Sequence, residues 1–162
     1  MNTIEEKVKQ LIQKLDLSVP VSVEAVANFY KVEIRKSPSK DFSGILYRKD
    51  DVAFMAINSK ESTVRQRFTI AHELGHFFLH KNTVTFVDYR DTPENVRKSP
   101  KEREANQFAA CLLMPKHLLE KDVRALNVSS ISEVEVSSLS DKYKVSQEAM
   151  TYRLLNLNLS TK

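Results

Sequence analysis

Two histidines four residues apart, His72 and His76, bracket the pentapeptide His72-Glu73-Leu74-Gly75-His76. A helix advances roughly 100° and 1.5 Å per residue, so both imidazoles fall on one face about one turn apart and can reach a single ion. Glu73 projects beside that face, at the rim of the same pocket. Two neutral nitrogen donors with a carboxylate placed to take a proton from water form the H-E-x-x-H arrangement for zinc. The ion lowers the pKa of its water towards about 7 and polarises a carbonyl, which suits hydrolytic chemistry. The plainer reading is a pair of ordinary hydrogen-bonded histidines. Against it, His and Glu inside an apolar stripe are costly to bury without a partner.

The element that must carry these residues spans 63–80. Phe68, Ala71, Leu74, Phe77 and Phe78 supply an apolar stripe at helical spacing, Arg65, Gln66 and Arg67 are polar, and Thr63 with Gln66 fits a capping box. Gly75 costs about 1 kcal/mol against alanine inside a helix, so it is expected to let another element or a substrate come close. A second helix is predicted from Ser99 to Pro115. Ser99 reads as its N-cap, Pro100 as its first residue and Glu102 as the reciprocal capping glutamate. Glu104 lies deeper and shares a face with Phe108 and Cys111. An acidic group at the head of an apolar face wants a partner, and the expectation is that Glu104 joins His72 and His76 as third ligand of one zinc ion, with the fourth position open. Cys111 reads as a small buried apolar residue.

Around this pair, residues 3–15 and 22–30 read as helices, and 32–36, 44–48 and 52–57 as strands, with Asp50-Asp51 turning between the last two. An extended substrate is expected along the edge of strand 52–57. The long connection 81–98 contains a candidate short strand at 84–89; it reads as a functional loop or as a surface excursion. The tail divides into helices at 117–126 and 133–144 and a capped helix after Val145-Ser146 that carries Met150, Leu154 and Leu157. The first helix pair and residues 139–155 each mimic a helix-turn-helix faintly. Without basic recognition positions the first is read as a packing helix pair, and residues 139–155 are read as a helical layer covering the zinc-bearing pair.

At 162 residues the chain is expected to form a single domain, 1–162, in which 1–60 supply N-terminal helices and sheet, 61–115 the zinc-binding helices and 116–162 a C-terminal helical part. A hydrophobic share of 41% and a charged share of 28% belong to the soluble globular class. There is no apolar run near the roughly 18 residues of a membrane span and no signal-peptide core at the N-terminus, and one cysteine excludes an internal disulfide. A cytoplasmic protein without a membrane partner is therefore expected. The formal charge of +4 is scattered, so direct nucleic-acid binding is not expected. Nothing in the sequence specifies an oligomeric state.

Three blocks resemble the ImmA/IrrE family of metallo-endopeptidases: Arg67-Phe-Thr-Ile-Ala-His-Glu-Leu-Gly-His-Phe-Phe-Leu-His80, then Glu104-Ala-Asn-Gln-Phe-Ala-Ala ending in Leu112-Leu-Met-Pro115, and more weakly residues 143–154. The resemblance implies an α+β, zincin-like fold: a small antiparallel sheet packed on the H-E-x-x-H helix, with further helices around it. It implies His72, His76 and Glu104 as zinc ligands, Glu73 as catalytic base, and a protein substrate, commonly a helix-turn-helix repressor of a phage or mobile element whose cleavage derepresses its genes. Because the chain ends soon after the third block, a stand-alone protease is expected. His80, Tyr143, Tyr152 and Arg153 are candidates, by chemistry alone, for assisting the oxyanion, and His80 is a candidate hydrogen-bond partner of a ligand. Two other classes compete: a non-catalytic zinc-containing regulator that binds a repressor without cutting it, and a DNA-binding helical protein.

Overall fold

The computed structural model describes residues 3–89 and 99–159, and within them the chain divides into two compact units. One is Ser22–Ala109; the other joins Met1–Val21 to Ala110–Lys162. Among the described residues no helix is long and apolar enough to cross a membrane.

The unit Ser22–Ala109 opens with α2 (Val23–Phe29), which follows α1 (Ile4–Lys14) of the other unit. It continues through β1 (Val32–Ser37), β2 (Phe42–Lys49), β3 (Val52–Asn58), α3 (Thr63–Leu79) and β4 (Thr85–Tyr89), and ends inside α4 (Pro100–Leu113). The four strands form one sheet in the order β1-β3-β2-β4. β2 runs antiparallel to β3 and β4, and β1 runs parallel to β3. The fold is α+β as expected, but the sheet is mixed rather than wholly antiparallel. Residue alternation marks a strand without choosing its neighbour; here residues 38–41 carry the chain past the place that β3 later fills. Buried Asn58 secures that crossover, accepting from Ser39 N at 3.0 Å and donating to Ser39 O at 3.1 Å.

The strand order also corrects the expected path of a substrate. β3 is paired on both sides, so strand 52–57 has no edge to offer. Within the sheet, the outer strands are β1 and β4.

α3 lies across β2 and β3, with Ile70, Ala71 and Leu74 buried, as are Leu46, Met55 and Ile57 of the strands. Its N-cap is Ser62, one residue earlier than the capping pattern indicates: the Ser62 hydroxyl accepts from Arg65 N at 3.2 Å, and Gln66 donates to the Glu61 carbonyl at 2.8 Å. β4 falls where a short strand was expected; the rest of that connection, 90–98, lies outside the described residues.

In the other unit α5 (Lys116–Leu126), α6 (Glu133–Tyr143) and α7 (Gln147–Asn156) match the three tail helices to within a residue or two. α6 packs on α7, and Tyr143 donates to Asp122 at 2.7 Å. Arg153 is buried, with Nε donating to Met114 O at 3.0 Å and Nη1 paired to Glu5 at 2.6 Å.

Candidate metal centre

On α3, His72, Glu73, His76 and His80 are all buried; Glu73 is wholly so, at 0% exposure. The end of this helix is held from β2. The Arg48 guanidinium donates to the carbonyls of His76 (3.0 Å), Phe77 (3.1 Å) and His80 (3.1 Å), supplying donors at the helix C-terminus and opposing its negative dipole.

Gly75 allows the second helix to approach. A Cβ there would stand 3.0 Å from both the Cα and the carbonyl oxygen of Ala105, so α4 crosses in backbone contact. Gly44 serves the other side: a Cβ there would stand 2.5 Å from Thr69 Cγ2 and 3.3 Å from Glu73 Oε1. A glycine inside a strand pattern signals such close approach, and this chain has only these two.

α4 begins as the sequence indicates, with Ser99 Oγ accepting from Glu102 N at 3.4 Å. The Glu102 carboxylate, however, turns towards α3. Its Oε2 lies 3.0 Å from His72 Nε2, its Oε1 lies 3.1 Å from His76 Nε2, and the two Nε2 atoms are 3.2 Å apart. Glu102, rather than the expected Glu104, is thus the carboxylate that the fold brings against the two histidines. Two residues further along a helix means roughly 200° of rotation. Glu104 accordingly points elsewhere, half exposed, with its carboxylate 3.7 Å from His80 Nε2. Glu102 serves both ends of the problem: its backbone completes the cap while its side chain enters the centre.

The donor set fits a zinc ion. Bonds of about 2.0–2.1 Å in tetrahedral array separate ligand atoms by about 3.3 Å, close to the three distances observed. The remaining imidazole nitrogens are engaged in the way that orients ligands: His72 Nδ1 lies 2.8 Å from Asn106 Oδ1 and His76 Nδ1 lies 2.9 Å from His80 Nδ1. With Nε2 given to an ion, each Nδ1 carries the proton and donates. His80 thus stands directly behind His76. Phe86 of β4 stacks on the His76 ring at 3.8 Å between centroids.

Electrostatics point the same way. Burial pushes the Glu102 carboxyl up, yet hydrogen bonds and charge from His72 and His76 outweigh it and hold the group at about 2. His76 is pushed down by burial, whereas His72 is raised because Glu102, Glu73 and Asp88 outweigh its own burial. Burial lifts Glu73 to about 8, with the charges of Asp88 and Glu102 acting in the same direction and His72 opposing. A dication held here would favour the carboxylate forms. Both Glu73 oxygens are buried without a hydrogen-bond partner among the described residues, which leaves an acceptor pair facing the centre.

Of the oxyanion candidates, only His80 lies in this unit. The Tyr143 hydroxyl is spent on Asp122, Arg153 is taken up by Glu5 and Met114, and Tyr152 is exposed. Residues at the centre that sequence reasoning passed over are Glu102, whose side chain faces both histidines, Asn106 one turn beyond it, Arg48 and Asp88. For Glu102 and Asn106 the i, i+4 spacing on a capped helix was the available signal. Arg48 and Asp88 had none, since strand pairing brings them in.

An α+β unit whose central helix presents two imidazoles and a buried glutamate, faced by a carboxylate from a second helix, has the form of a zincin-like metallopeptidase. Residues 27–155 match the model of a peptidase family, the IrrE N-terminal-like domain, and the chain belongs to that family. Metallopeptidase ImmA of Bacillus subtilis (strain 168) is 28% identical over 148 residues, covering 89% of this chain and 85% of that protein. Among solved structures, a Mycobacterium tuberculosis transcriptional regulator shares the fold with a TM-score of 0.65 at 12% identity over 93% of this chain. The present chain spans 46% of that structure's length.

Proposed function

We propose that the protein is a zinc-dependent endopeptidase that cuts a specific protein partner, a helix-turn-helix transcriptional repressor, and so releases the genes it silences. Membership of a metallopeptidase family supports hydrolysis of a protein substrate. The observation that carries the reading is the convergence of His72, His76 and Glu102 within 3.2 Å of one another, beside a buried and unpartnered Glu73. The family match runs through both compact units, which supports treating 1–162 as one metallopeptidase domain. The repressor as substrate rests on the resemblance to the ImmA/IrrE family alone.

In this reading His72, His76 and Glu102 hold the ion, and Asn106 and His80 keep the two imidazoles in register. When bound, the ion supplies Lewis-acid polarisation of the scissile carbonyl and lowers the pKa of water to about 7. Glu73 takes the proton of the attacking water and delivers it to the leaving nitrogen. Its burial excludes bulk water, and its two free oxygens give it both an accepting and a donating position. An extended peptide adds to the sheet at β4, whose helix-facing side chains Phe86 and Asp88 reach the centre.

The test is incubation with the candidate repressor, with and without chelator, using wild type and Glu73→Gln. Cleavage that needs both metal and Glu73 is expected. If the variant keeps its metal and reproduces every effect of the wild type, the protein is instead a regulator that binds without cutting.

A further inference from the structure

A second carboxylate reaches the centre from the sheet. Along β4 alternate side chains share a face, so Phe86 and Asp88 both turn to α3. Phe86 covers His76, and Asp88 brings an oxygen within 4.8 Å of ligand atoms on both His72 and Glu73. The regular β2–β4 register, which pairs Ile45 with Val87 and Leu46 with Phe86, sets Gly44 directly across from Asp88. That same Gly44 is the residue whose missing side chain leaves room at Glu73 Oε1. Two acidic groups from different elements thus meet with no Cβ wall between strand and helix. One of them, Glu73, is fully buried with both oxygens unpartnered among the described residues. Two carboxylates held this way are unfavourable unless a proton or a cation joins them, and a cation can engage both at once.

We propose that Glu73 and Asp88 form a second divalent-cation site, next to the ion held by His72, His76 and Glu102 and distinct from it. His72 is common to both groups, but Glu102 faces its Nε2 and Asn106 its Nδ1, so the second cation relies on carboxylate oxygens and water. An oxygen-only set favours a harder ion such as manganese or magnesium, whereas the two-nitrogen, one-oxygen set favours zinc. With only two protein ligands the second site is the weaker. Its occupancy engages Glu73, so excess divalent cation inhibits the peptidase.

The inference rests on the ligand assignment proposed above, and the experiment separates the two. Full-length apoprotein is loaded with one equivalent of zinc, desalted, and its zinc measured by elemental analysis. Mn2+ is then titrated in and followed by electron paramagnetic resonance. Wild type is expected to keep its zinc and to bind one further Mn2+. Asp88→Asn and Glu73→Gln are expected to keep zinc, melt normally and bind Mn2+ at least about tenfold more weakly, the scale on which ligand charge sets cation affinity. Zinc retention with no stoichiometric Mn2+, or with Mn2+ binding unchanged in Asp88→Asn, overturns the second site alone. A wild-type chain that fails to retain the first zinc overturns both.

Discussion

Each compact unit buries charged side chains, and each handles them differently. In the helical unit, Arg153 is enclosed, and its charge is answered locally by Glu5 at 2.6 Å and the Met114 carbonyl at 3.0 Å, with Nη2 alone of its nitrogens lacking a partner among the described residues. In the sheet-bearing unit, His72, His76 and Glu102 point three donor atoms at one another, and Glu73 beside them has no partner among the described residues. Pairing within the fold consumes a polar group and makes it structural. Convergence with acceptors left over keeps the groups available for something that is not part of the chain. This difference, more than the number of buried polar residues, separates a stabilising cluster from a reactive centre.

The comparison breaks most visibly at Glu73. Glu73→Gln is expected to lower peptide hydrolysis by about 10²–10⁴-fold, the usual contribution of a general base, while zinc content stays at the wild-type level. Loss of zinc instead would make Glu73 a structural residue like Arg153.

Next in size is the ligand itself. Glu102→Gln is expected to weaken zinc binding by about a hundredfold or more, and Glu104→Gln by less than about threefold, as read by competition with a chromogenic chelator. The reverse order would restore Glu104 as ligand and undo the assignment made from the geometry.

In the other unit the expected loss is of stability. Arg153→Met leaves Glu5 without its partner and is expected to cost about 1–3 kcal/mol in denaturant unfolding, below the figure for a fully buried pair because Glu5 keeps some contact with solvent. Zinc affinity should not change. Burial alone would raise the Glu5 carboxyl, but the hydrogen bond and charge of Arg153 prevail and hold it below its ordinary value of 4.5. A depressed folded pKa stabilises above the unfolded value, so the gap between wild type and variant should be full above about pH 4.5 and close as pH falls through the folded value.

The smallest effect is expected at Gly75→Ala. Alanine gains about 1 kcal/mol in helix propensity, but its Cβ meets the Ala105 backbone, which cannot rotate away, at 3.0 Å. A net loss of about 1 kcal/mol in thermal unfolding, with weaker zinc binding as α4 is pushed off α3, is the expected outcome. Unchanged zinc affinity would mean that the helix spacing has slack.

Much of this molecule is local, and what is local was legible in the chain. Among the described residues the helices, the strands and most caps follow from periodicity, Ser and Pro punctuation and apolar spacing, because one helical turn or one strand repeat contains all the information they need. His72, Glu73 and His76 belong to the same category, since a single turn of helix sets their relation. What depends on a partner element was decided only in three dimensions. The parallel pairing of β1 with β3 is one case, the loss of the β3 edge another. Glu102 against Glu104 is the clearest. Both are acidic residues at the start of one helix, and the cap that the first completes looked like its whole purpose. Which of them faces the histidines depends on the rotation of α4 about its axis, and the contact of Ala105 on Gly75 sets that rotation. Asp88 and Arg48 enter through strand pairing, an interaction between segments that short-range spacing does not encode.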